Sequence, residues 1–108
     1  MINLEITAKP KRNKFLEFSQ TLEQIKTDLQ KLCFRLTIIE EKNTFTIVAD
    51  LKSNDQLSAI INSNEVSVLS GAIKMLCEKS KTMINGSRYS TKTEILKEIQ
   101  LQYKKTIK

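Results

Sequence analysis

The chain has 108 residues, 18 of them basic and 12 acidic, for a formal net charge of +6, with no histidine and no tryptophan. That length fits one domain with a single core that needs no metal or disulfide staple. Without histidine, Ser-His-Asp and Cys-His nucleophilic sites are excluded. With two glycines in all, there is no phosphate-cradling loop and no dinucleotide fingerprint.

The lysines are spread along the whole chain, which reads as solubilising charge and makes nucleic acid an unexpected partner. No window approaches the length of a membrane span. Nothing resembles a secretion signal, so a cytoplasmic protein with no membrane partner is expected. Cys33 and Cys77 lack metal-ligand spacing and are expected to be reduced and packed in the core. No metal is expected, since Glu40-Glu41 falls at a hairpin end where solvation suits it better.

In chain order, Ile2, Leu4 and Ile6 alternate with Asn3, Glu5 and Thr7, which predicts a strand with one apolar face, ended by Pro10. A helix is predicted over Lys11–Leu32, where Phe15, Phe18, Leu22, Ile25, Leu29 and Leu32 form one stripe. Lys11, Arg12 and Lys14 at its start have the wrong sign for the helix dipole and read as a solvated cluster. From Cys33 to Glu41 the period becomes two, with Phe34, Leu36 and Ile38 on one face and Arg35, Thr37 and Ile39 on the other. Lys42-Asn43 reads as a turn. Thr44–Leu51 follows as a strand with Phe45, Ile47, Ala49 and Leu51 inward, so the pair should be an antiparallel hairpin.

Ser53 with Gln56 makes a capping box for a helix bearing Leu57, Ile60 and Ile61. Asn62-Ser63-Asn64 interrupts it. A third helix runs from Glu65 to Cys77 on the stripe Val66, Leu69, Ile73 and Leu76. Gly71 in its middle suggests close approach of a neighbouring element. Lys81–Tyr89 is predicted as a fourth strand, with Gly86 marking a bulge. Thr91 with Glu94 opens a final amphipathic helix carrying Ile95, Leu96, Ile99 and Tyr103.

This order implies an α+β, ferredoxin-like split βαβ domain over residues 1–90, a four-stranded antiparallel sheet with helices on one face. Residues 91–108 are a C-terminal helix packed on that domain or on a partner subunit. Ile39 and Val48 make the second sheet face partly apolar, which points to a homodimer with two sheets face to face.

The run Val68-Leu69-Ser70-Gly71-Ala72-Ile73-Lys74, within Ser63–Leu76, resembles the antibiotic biosynthesis monooxygenase family in its quinol-monooxygenase-like members. Ile2–Phe18 and Thr44–Ile61 are similar to it in element order and spacing, so the resemblance covers about residues 2–90. It implies a dimeric α/β barrel and oxidation of quinols or polycyclic anthrones by molecular oxygen with no cofactor. Leu51 stands where that family often has Trp, and Ile60 where it often has His. An axial-His haem site and His-dependent proton abstraction are thereby excluded.

Any substrate anion would then have to be stabilised by other polar groups, and the candidates are Asn3, Arg35, Asn85 and Tyr89. The expected pocket lies between sheet and helices, lined by Phe18, Leu22, Phe45, Leu51, Ile60 and Leu69. The readings are a cofactor-independent monooxygenase acting on a quinol-like or polycyclic aromatic substrate, or a non-catalytic domain of the same fold that binds an apolar aromatic molecule or serves as a dimeric interaction module. RNA binding is disfavoured, because the first strand has no aromatic residue and Phe45 is assigned to the core.

Overall fold

The computed structural model describes residues 1–89, and the expected helix over 91–108 lies outside them. The strands are β1 (Ile2–Pro10), β2 (Arg35–Glu41), β3 (Thr44–Leu51), β4 (Cys77–Ile84) and β5 (Ser87–Tyr89). The helices are α1 (Phe15–Lys31), α2 (Asn54–Ile61) and α3 (Asn64–Leu76). The sheet order is β2-β3-β1-β4-β5, antiparallel throughout. The first four strands have the ferredoxin-like order, and β5 is a short addition at the edge.

Alternation decides which side of the sheet each residue serves. Leu4, Ile6 and Ala8 of β1 and Phe45, Ile47, Ala49 and Leu51 of β3 are buried beneath the helices. From above, α1 contributes Phe18, Leu22, Ile25 and Leu29, while α2 and α3 add Leu57, Ile60, Ile61, Val66 and Leu69. Phe15 stacks on Phe45 at 5.2 Å and Phe18 tilts onto it at 5.5 Å, tying α1 to β3. Ser53 caps α2 by accepting from the Gln56 N–H, and Ser63 caps α3 by accepting from the Val66 N–H. The Gln56 side chain closes the motif one residue further back than expected, accepting from the Lys52 N–H at 2.7 Å.

Pro10 ends β1 as expected, buried as its last residue opposite Cys77 at a register shift, where its missing N–H breaks no regular ladder. Several other expectations need correction. The helix begins at Phe15 rather than Lys11, because Arg12–Lys14 form a 3₁₀ turn, and neither start has a side-chain cap. Phe34 precedes β2 and is 47% exposed, with the Lys52 ammonium 4.7 Å above its ring. Gly71 makes no close approach, since a Cβ there would meet nothing within 4 Å. The predicted fourth strand is a hairpin rather than a bulged strand. Strand β4 starts at Cys77 and turns at Asn85-Gly86, both with positive φ, into β5.

Candidate functional site

The six expected pocket residues, Phe18, Leu22, Phe45, Leu51, Ile60 and Leu69, come from α1, β3, α2 and α3 and meet in one cluster. All are buried, four of them almost completely. Where a substrate chamber was expected, the described residues between sheet and helices leave a void of about 10 Å³, lined by Ile6, Leu29, Ile47, Ile60 and Leu69 among others. That is room for about one water, whereas a benzene-sized guest needs on the order of 150 Å³.

The structure brings three of the four polar candidates to one end of the sheet. Asn3 on β1 faces Asp50 on β3, which faces Arg35 on β2. The Asn3 amide donates to the Asp50 carboxylate at 3.0 Å. Asn85, in the β4–β5 turn, accepts from the Asn3 backbone N–H through its side chain at 2.9 Å. Tyr89 stands elsewhere, in β5 opposite Thr82, whose own partner is Ile6, three residues along β1 from Asn3. Asp50 was not among the candidates, and its place in this row follows only from the strand register.

The helix-free face of the sheet carries Arg35, Thr37, Ile39 and Glu41 on β2, Thr44, Thr46, Val48 and Asp50 on β3, Asn3, Glu5, Thr7 and Lys9 on β1, and Lys79, Lys81 and Met83 on β4. Val48 and Met83 are half-buried, and Ile39 is 48% exposed. At the Lys9 end an open cavity of about 540 Å³ is lined by Thr7, Lys9, Thr44, Glu78, Lys79 and Lys81, among others. A second, of about 530 Å³, lies beside it against Lys9, Lys11, Arg12 and Asn43. The Lys9 ammonium and the Glu78 carboxylate are 3.2 Å apart.

Cys33 is buried and its thiol donates to the Leu29 carbonyl at 3.4 Å. Burial, and next the Asp50 carboxylate, push its pKa up. Cys77 is half-buried, and burial raises its thiol to about 11. Neither thiol is therefore a ready nucleophile. Among the described residues no three His, Cys, Asp or Glu side chains are grouped to hold a metal ion, and no helix is long and apolar enough to cross a membrane.

The sequence matches no protein-family model and no curated protein. Solved structures do match the fold. A candidate antibiotic biosynthesis monooxygenase from Nitrosomonas europaea superposes with a TM-score of 0.72 at 15% identity, covering 82% of this chain and 100% of that one. Another, from Deinococcus radiodurans, gives 0.71 at 14% identity, covering 84% and 96%. A conserved protein from Methanosarcina mazei gives 0.70 at 16% identity, covering 80% and 91%. The chain thus has the fold of structures known as antibiotic biosynthesis monooxygenases, and at these identities the likeness concerns the fold alone.

Proposed function

We propose that the protein is a homodimeric, non-catalytic interaction domain that keeps this fold with no substrate chamber between sheet and helices among the described residues. The observation that carries this reading is the filled interior. The residues placed to line a pocket are core residues, and the void among them is about 10 Å³. A quinol or anthrone cannot enter without prising α2 and α3 off the sheet, and each large side chain so exposed costs roughly 1.5–3 kcal/mol. The dimer is supported by the helix-free sheet face, where Val48, Met83 and Ile39 offer apolar surface that a second sheet can cover.

Oxygen uptake by the purified full chain against a panel of hydroquinones and anthrones tests the reading. The expected result is no uptake above the autoxidation blank and no saturable heat on titration with the same compounds. Product formed in proportion to protein would overturn it.

A second reading is cofactor-independent oxidation of a quinol-like or polycyclic aromatic substrate by molecular oxygen. It is favoured by the fold likeness to structures named as monooxygenases. The gathering of Asn3, Arg35 and Asn85 at one end of the sheet supplies polar groups for it. Under that reading, substitution of Asn85 abolishes the uptake.

A further inference from the structure

Strand β2 presents Arg35, Thr37, Ile39 and Glu41 in that order on the helix-free face. The cation and the carboxylate stand at opposite ends of the strand, six residues and roughly 20 Å apart. They cannot reach each other within one protomer, and neither has an ion-pair partner among the described residues. Between them lie a threonine and the exposed Ile39. The row becomes its own complement when reversed: cation over carboxylate, threonine over isoleucine.

We infer that two copies of this chain pack their sheets about a two-fold axis that crosses the strands, so that Arg35 of each protomer pairs with Glu41 of the other. This rests on the homodimer reading above. A two-fold axis lying between two sheets has two simple settings. If it crosses the strands, each strand lies over its own copy with its direction reversed. If it runs along the strands, β2 of one protomer lies over β4 of the other, and Glu41 meets Lys79. In the crossing setting Val48 lies near Thr46 of its copy, and Lys81 comes beside Met83 and Glu5, so no cation is pressed onto a cation. The directly opposed Lys9 and Lys79, a repulsive pair within one protomer, come over the Asn3 and Asp50 end of the second copy. Charge pairs of this kind set partner and register more than they set affinity.

The neighbouring cation cluster could instead serve a free anion. The second copy is favoured because its own face carries carboxylates where these cations arrive: Glu41 opposite Arg35, Glu5 beside the Met83 that Lys81 covers, and Asp50 beside the Asn3 that Lys9 covers.

The test is sedimentation equilibrium of the full chain and four variants: Arg35→Glu, Glu41→Arg, the double exchange of these two, and Lys79→Glu. Thermal melting of each variant checks that it is folded. Arg35→Glu and Glu41→Arg are each expected to weaken the dimer about tenfold or more, and their double exchange to bring it back to within about threefold of the unaltered chain. A dimer weakened by Glu41→Arg and by Lys79→Glu but indifferent to Arg35→Glu would overturn the inference in favour of the other axis. Saturable binding of inorganic phosphate that leaves the dimer intact and is lost in Lys79→Glu would overturn it in favour of an anion site. A wild-type chain that stays monomeric would remove the homodimer reading itself. A wild-type dimer unmoved by any reversal would remove only the pairing.

Discussion

Asn3 and Asn85 hold each other by two reciprocal hydrogen bonds. The Asn3 N–H donates to the Asn85 side-chain oxygen, and the Asn85 N–H donates to the Asn3 carbonyl, both at 2.9 Å. Asn85 also has φ 51°, a conformation that asparagine tolerates better than most residues. The pair therefore fixes the β4–β5 turn against the start of β1. Asn85→Ala loses both the acceptor and the conformational preference and should lower stability by about 1–2 kcal/mol in urea denaturation. Asn85→Gly keeps the positive φ and loses only the acceptor, so its loss should be smaller.

Gly71→Ala should stabilise the protein. The residue lies within α3, and an added Cβ meets nothing within 4 Å. The gain expected from helix propensity alone is about 0.8–1 kcal/mol. A destabilised variant would mean that another part of the chain or its partner approaches α3 closely at this point.

The two serine caps should differ in worth. Ser53 accepts one hydrogen bond, from Gln56. Ser63 accepts from Val66 and also donates its hydroxyl to the Ile60 carbonyl at 2.6 Å, joining the end of α2 to the start of α3. Ser53→Ala should cost about 1 kcal/mol and Ser63→Ala more. Equal losses would mean that the second bond contributes nothing.

Burial raises the Cys77 thiol from 9.0 to about 11. The folded protein thus holds its proton more tightly than the unfolded chain does. The resulting stability is fully present below about pH 9 and declines as the pH rises toward 11, because the unfolded thiol ionises first. Iodoacetamide should alkylate the native protein slowly at pH 8, with the rate climbing only above about pH 10. Rapid modification of Cys77 at pH 8 would contradict this.

The alternation of Phe45, Ile47, Ala49 and Leu51, the α1 stripe and the Ser53 cap all act locally, through a period of two or 3.6 and one hydroxyl, so the sequence carries them openly. Strand β4 was half hidden. Its sequence from Cys77 to Ile84 is mostly lysine, glutamate, serine and threonine, and the α3 stripe runs into it at Leu76. Pairing with β1, rather than its own pattern, makes it a strand. Phe34 looked like a core residue by alternation, but β2 starts one residue later and leaves its ring outside under Lys52. The row Asn3–Asp50–Arg35 joins residues distant in sequence, and nothing short of the register brings them together. The closed interior was equally illegible, because an apolar residue that lines a pocket and one that fills it have the same periodicity.

The helix-free sheet face is proposed to join two copies of a domain whose described residues leave no substrate chamber between sheet and helices. Val48 lies at the middle of that face, half-buried and opposite Glu5 and Thr37. The most direct measurement is the molar mass in solution, by light scattering after size exclusion, of the unaltered chain and of Val48→Lys. Twice the chain mass is expected for the first and a folded species of one chain mass for the second. A monomeric unaltered chain, or a Val48→Lys variant that remains fully dimeric, would contradict it.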